Sequence, residues 1–411
     1  MARPTTIERL RALILGDDEF ALIDPRGAAE FAAGHILAAS NLPLERIEAE
    51  IGVLVPLRET LCVICDDGGG EAEAAAGLLE AGGYVSVEVL AGALDAWRAT
   101  GGEIFSGVSV PGKAFGEFVE HQCGTPAMTA EELQRRRANG ERILLLDSRT
   151  VEEHASYCIP GAVLCPGGEL IYRVLPALED DTEIVVHCGG RTRSIIGAQT
   201  LIDAGCERVH ALENGTMAWQ FAGYELERGS EDSLPQPDPA ELGPVRELAE
   251  RLATDLYIDR MRSIPLQTTH TRYLIDVRGR EEYEAGHIPG SRHVPGGHLL
   301  QNLDRYLVVR NSSVVLIDSD RIRATTVAMW LRRMQWRRVF VFSLDEDKRD
   351  LEIGPGPVPS PLEDRDLDPR DYPDPEQLLR ENRAYLDWEL GLLAQISGDP
   401  AAPYCPGSQG S

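Results

Sequence analysis

One pattern is written three times along this chain, and no other feature limits its possible folds as sharply. Leu22-Ile23-Asp24-Pro25-Arg26 is followed by Glu30-Phe31 and Gly34-His35-Ile36. Leu145-Leu146-Asp147-Ser148-Arg149 is followed by Glu152-Glu153-His154 and Cys158-Ile159-Pro160-Gly161. Leu274-Ile275-Asp276-Val277-Arg278 is followed by Glu282-Tyr283 and Gly286-His287-Ile288-Pro289-Gly290. Each copy then reaches a second apolar run that ends in a loop. The first loop residues, Cys65, Cys188 and Asp318, lie 41, 41 and 42 positions beyond the three aspartates. A helix and a third apolar run follow each loop. Strands alternating with helices predict a parallel sheet flanked by helices. The expected class is therefore α/β, with three tandem domains at 1–105, 125–228 and 245–345 and an acidic, Pro-rich tail with one helix at 346–411. Residues 106–124 are Gly-rich and poorly periodic, and 229–244 are polar and Pro-rich, so both read as joints. The tail helix is expected over Glu376 to Gln395, with disorder from Ser397.

A net charge of -27 argues against nucleic acid or an anionic membrane surface as a general partner. No stretch approaches the ~20 apolar residues of a membrane span. The first residues carry charge early and contain no apolar core, so a cytoplasmic location is expected. Eight cysteines are scattered rather than framework-spaced, which predicts reduced thiols. Cys62 and Cys65 spell CxxC, but along a strand residues three apart face opposite sides, so no redox pair is expected. No histidine spacing suggests a metal site, and no cofactor is proposed.

The chemistry concentrates in Ile184-Val185-Val186-His187-Cys188-Gly189-Gly190-Arg191-Thr192-Arg193-Ser194. An apolar strand ends at a thiol, a short Gly-rich loop follows, and then a helix begins. Backbone N–H groups and the positive end of that helix would converge on the sulfur and favour its thiolate. His187 precedes the thiol on the strand and should point away from the loop, so it is not expected to act as a base.

These signatures resemble the rhodanese family. Asp-x-Arg, Gly-His-Ile-Pro-Gly, the Cys-x4-Arg-Ser loop and the stretch from Gly215 to Trp219 stand in that family's order and spacing. The resemblance implies three tandem rhodanese-like domains with one working site in the second. It implies that Cys188 attacks the outer sulfur of an anionic donor such as thiosulfate and carries it as a persulfide. The acceptor would be cyanide or a thiol, either a small thiol or a thioredoxin-like protein. Gly189, Gly190, Thr192 and Ser194 would shape the loop and supply donors, and Arg191 with Arg193 would hold the donor anion. The six-residue loop is the sulfur version; related phosphatases and arsenate reductases carry one residue more.

The copies are chemically unequal. Cys65 keeps a thiol, but Gly70 replaces the closing arginine and Asp66, Asp67 and Glu71 surround it, which disfavours a thiolate and an anionic donor. Asp318 replaces the thiol outright, leaving a salt-bridged, inactive loop as the expectation. One of Cys158 and Cys165 could resolve the Cys188 persulfide as a disulfide or polysulfide, though ordinary thiols in the connection between strands are the expected reading. The rival function is a non-catalytic sulfur carrier or docking scaffold that receives persulfide sulfur from a partner enzyme.

Overall fold

Each copy builds the same parallel sheet, because each contributes three apolar runs that can be buried only between two layers of helices. The computed structural model describes residues 2–179, 181–265, 268–346, 350–356, 374–399 and 402. In the first domain the strands are β1 (Arg3–Thr5), β2 (Phe20–Asp24), β3 (Ser40–Asn41), β4 (Leu61–Ile64) and β5 (Val87–Leu90). The second domain has β6 (Ala127–Met128), β7 (Ile143–Asp147), β8 (Val163–Leu164), β9 (Glu183–His187) and β10 (Val209–Leu212). The third has β11 (Asp259–Arg260), β12 (Arg272–Asp276), β13 (Arg292–His293), β14 (Val309–Arg310), β15 (Ser313–Asp318) and β16 (Val339–Ser343).

The strand orders are β1-β5-β4-β2-β3, β6-β10-β9-β7-β8 and β11-β16-β15-β12-β13, one topology three times. β14 belongs in sequence to the third copy but pairs antiparallel with β2, tying that copy to the first sheet. Cys62 lies in one core and Cys65 in another, on opposite faces of β4, as strand geometry requires. Among the described residues, no helix is long and apolar enough to cross a membrane.

The three Asp-x-Arg motifs serve the scaffold. Asp24, Asp147 and Asp276 end their strands fully buried, and each carboxylate grips the arginine two positions on. That arginine then donates to the carbonyl of Gly34, Tyr157 or Gly286, closing the next turn of chain. Breaking such a pair leaves a buried charge, at a cost of about 3–5 kcal/mol.

The segment 106–124 departs from the expectation of an irregular joint. It holds a 14-residue helix, Val110–Cys123, here called the linker helix. Nine of its residues, Val110 and Gly112 through Val119, are buried, so its sequence carries no amphipathic period for a reader to find. It packs on the helix that follows the Cys188 loop and on the tail helix, Pro375–Gly398. The tail helix begins and ends within three residues of the expected span, and the acidic stretch 364–373 and Cys405 lie outside the described residues.

Domains two and three meet at small residues and through polar clasps. Gly168 and Gly296 are in backbone contact range, Trp330 Nε1 donates to Thr200 Oγ1 at 2.8 Å, and Arg333 pairs with Asp203 at 2.5 Å. One apolar core runs through all three domains, with Phe115 of the linker helix and Trp330 of the third domain edge to face at 6.0 Å.

Gly112 shows how tightly the linker helix is seated, since a Cβ there would collide with the carbonyl oxygen of Gln301. Gly112→Ala is expected to lower unfolding stability by about 1–3 kcal/mol through overpacking, despite alanine's better helix propensity. Urea denaturation of the full chain checks it; an unchanged or raised midpoint would contradict this packing.

Candidate active site at the Cys188 loop

The loop that begins at Cys188 is shaped by what happens to its carbonyl groups. The backbone N–H of Thr216 donates to Cys188 O at 3.0 Å, and that of Met217 to Gly189 O at 3.2 Å. Thr216 Oγ1 also donates to Gly189 O. In a trans peptide the N–H points opposite to the C=O. The Gly189 and Gly190 N–H groups therefore turn to the other side. Gly215 permits this approach: its φ is +50°, and a Cβ there would run into the Cys188 carbonyl. Thr216 and Asn214 were missed by sequence reasoning, although the glycine-to-tryptophan stretch, which contains Thr216 and directly follows Asn214, was the available signal.

Arg191 lies elsewhere than the expected donor clamp. Its guanidinium forms a two-pronged pair with Glu117 of the linker helix, at 2.6 and 2.9 Å, and also reaches Glu120 and Asn214. It is 5% exposed. The physical reason is plain: the buried Glu117 carboxylate requires a fixed cation, and arginine's fork supplies one, with the partly exposed Glu120 beside it. Arg193 makes a second fork, with Glu153 at 2.8 and 2.8 Å. Glu153 also accepts from the Thr150 N–H in a capping box, so this arginine ties the loop to the start of the helix Val151–Ser156. Both arginines thus hold protein carboxylates.

Cys188 is 2% exposed, and its thiol donates to Ser194 Oγ at 3.7 Å, while the Ser194 hydroxyl donates to Arg191 O at 2.7 Å. Thr192 Oγ1 donates to Glu389 Oε1 of the tail helix at 2.7 Å. Behind the loop sits a buried polar cluster. His154 Nδ1 lies 2.9 Å and His187 Nε2 3.8 Å from Asp147 Oδ2. Against its burial, the Arg149 guanidinium, with the His154 hydrogen bond, holds the Asp147 carboxyl well below the usual range. Burial pulls His187 down to about 4 despite Asp147, so it is neutral at pH 7. Its side chain belongs to the scaffold.

The other two loops show what a carboxylate does in this geometry. In the third domain Asp318 stands where Cys188 stands in the second. Its carboxylate accepts the N–H groups of Ser319 at 2.8 Å, Arg323 at 2.8 Å and Ala324 at 3.3 Å. Arg323 also pairs with Asp318 and forks onto Glu282 at 2.5 and 2.9 Å, matching Arg193 on Glu153. This is the salt-bridged loop anticipated. In the first domain Asp66 accepts from the N–H groups of Gly68, Gly70 and Ala72. Burial, reinforced by Asp24 and Asp66, pushes the Cys65 thiol well above its ordinary range. Cys158 and Cys165 are fully buried; burial pushes Cys158 up to about 11 and raises Cys165 as well. Among the described residues, no group of three or more His, Cys, Asp and Glu side chains is arranged to hold a metal ion.

The neutral His187 makes a pH test. Its folded value lies below the unfolded ~6.5, so the unfolded chain takes up the proton first and stability falls as pH drops from 7 toward 4. By pH 5 this group alone costs about 2 kcal/mol. His187→Gln should flatten that part of the thermal stability profile between pH 7 and 5; an unaltered profile would mean the imidazole is not held neutral.

The rhodanese-like domain family matches residues 6–100, 129–222 and 257–345. A solved structure described as a thiosulfate sulfurtransferase from Pseudomonas aeruginosa is 40% identical, with a TM-score of 0.82 over 88% of this chain and 70% of that one. A Mycobacterium tuberculosis protein named putative thiosulfate sulfurtransferase SseB is 26% identical over 273 residues, 57% of this chain and 92% of the relative. An HTH-type transcriptional regulator of the same organism, Rv0324, is 39% identical over 111 residues, 26% of this chain and about half (48%) of that relative.

Proposed function

The chain belongs to the rhodanese family, as three rhodanese-like domains in tandem, and from that premise we propose that it is a sulfurtransferase whose single working centre is Cys188. The observation that supports this most is Asp318. At the matched position of a sister loop, an anionic side chain is held by three backbone N–H groups. The same positions in the second domain are Gly189, Arg193 and Ser194, and the side chain they surround is a thiol. Residues 188–194 contain no carboxylate of their own, whereas the first loop carries Asp66 and Asp67. The second loop is the one built for an anion yet left to a sulfur. Preorganised N–H groups of this kind stabilise a thiolate before reaction and a persulfide anion after it.

The reaction then runs in two displacements. The Cys188 thiolate attacks the outer sulfur of a thiosulfate-like donor, a new S–S bond forms, and the donor's own S–S bond breaks with its electron pair leaving on sulfite. A thiolate or cyanide acceptor attacks the outer persulfide sulfur, and the Cys188 thiolate is released. Gly189, Gly190, Thr192 and Ser194 shape the cradle, and Ser194 Oγ turns its hydrogen to the sulfur once the thiol proton is gone. Arg191 and Arg193 contribute by fixing the loop through Glu117, Glu120 and Glu153. Their charge offsets those carboxylates, so the donor anion meets N–H groups first. At 2% exposure, Cys188 suits a small donor better than the sulfur of a partner protein.

Incubation with thiosulfate is expected to add one sulfur to the peptide that carries Cys188, with turnover to cyanide or a thiol. Cys188→Ser should reduce both to background, while Cys65→Ser leaves them unchanged. Mass spectrometry of the proteolysed chain reads the first and sulfite release the second. Absence of sulfur on Cys188 with thiosulfate, but its appearance with a protein persulfide, would replace this reading with that of a carrier.

A further inference from the structure

All three loop helices receive a carboxylate near their first turn, but only two receive it from their own loop. Asp66 takes the N–H of Ala72, and Asp318 takes those of Arg323 and Ala324. In the second domain the carboxylate comes from the tail helix, nearly two hundred residues away in sequence. Glu389 is fully buried, accepts the Thr192 hydroxyl at 2.7 Å and also faces the Thr192 peptide N–H. Its other oxygen, Oε2, is buried without a hydrogen-bond partner and lies beside Gly190, 3.4 Å from where a Cβ would stand. An underused carboxylate oxygen is thus aimed at the backbone of the proposed sulfur cradle, two residues from Cys188.

We propose that Glu389 is a positioning residue for the Cys188 cradle: from the tail helix it holds Thr192 in place, and its negative charge sets how acidic the Cys188 thiol is and how readily anionic reagents approach it. The proposal rests on Cys188 being the reactive thiol. Several charged and titratable groups face Glu389. Lys113 and Glu117 come from the linker helix, Arg191 from the loop, and Tyr385 from the tail helix itself. Lys113 is 2% exposed and lies over the rings of Tyr385 and Trp388, at 5.2 and 5.3 Å from their centroids. The loop thus lies between a carboxylate that disfavours negative charge and cations that favour it. Burial raises the Glu389 carboxyl against the pull of Lys113 and Thr192, so its influence grows as the pH rises.

The test uses alkylation of Cys188, which reads the thiol whether or not sulfur is transferred. Glu389→Gln keeps an acceptor for Thr192 and removes the charge. Its rate–pH midpoint should fall by roughly 0.5–1 unit. Its rate ratio for iodoacetate, an anion, over neutral iodoacetamide should rise about threefold or more. Lys113→Gln should shift both quantities in the opposite direction, so the pair stays informative if one variant folds poorly. A purely structural Glu389 would change thermal stability and leave the ratio and the midpoint unmoved, and that result would overturn the proposal. If the ratio responds but thiosulfate deposits no sulfur, the positioning role stands and the sulfurtransferase reading falls.

Discussion

The chemistry at Cys188 depends on where the carbonyl groups of its loop are sent. A tight loop has as many acceptors as donors, and unless the acceptors are engaged elsewhere it cannot present a donor-rich interior. Here the N-terminal turn of the helix Gly215–Phe221 takes them: Thr216 and Met217 draw the Cys188 and Gly189 carbonyls to one side. Planarity of the peptide then turns the next N–H groups to the other. The arrangement requires Gly215, because only a residue without Cβ can bring a helix start that close to another backbone. The reactivity assigned to the sulfur is therefore prepared by a helix that contributes no group to the reaction.

The three copies form an internal comparison in which the scaffold is constant and the loop varies. Each has the same strand order and the same buried Asp-x-Arg pair. The second and third copies also share an arginine fork on a glutamate of the preceding helix, and the first has Gly70 at that position. Inside this common frame, the first and third loops satisfy their own N–H groups with Asp66 and Asp318. A self-satisfied anion cradle holds no place for an incoming anion without expelling a buried carboxylate. Packing also ties the copies to one another: β14 completes the first sheet, and Trp330 clasps the helix behind Cys188 through Thr200.

The fold was legible because its signals are local and repeated. Apolar runs such as Val185-Val186 and Val314-Val315 lie on central strands, and the equal spacing from aspartate to loop reflects one domain plan. The position of Cys188 at a strand end was legible for the same reason. What the sequence did not disclose is pairing across long separations. Arg191 looked like an anion clamp because its partner Glu117 is 74 residues earlier, on a helix with no apolar period. Nothing local marks Glu389 as a neighbour of Thr192, 197 positions away. Fixed charges are identified by residue type, but their targets are set by tertiary packing.

That packing gathers carboxylates beside the loop. Among the described residues, Glu117 and Glu389 lie buried with Arg191 and Lys113, and Glu120 lies partly exposed at the edge of the group. Buried carboxylates this close together are relieved by taking up a proton. Burial accordingly lifts Glu117 up to about 7 despite its fork on Arg191, with Glu389 and Glu120 adding to the rise. The linker helix and the tail helix are held to the loop by this cluster, so its proton occupancy and the fit of both helices are linked. Because the Glu117 carboxyl is raised in the folded chain, its contribution to stability favours the acid side and is lost as the pH rises through about 7, the opposite direction to the one His187 imposes on the scaffold beneath the loop.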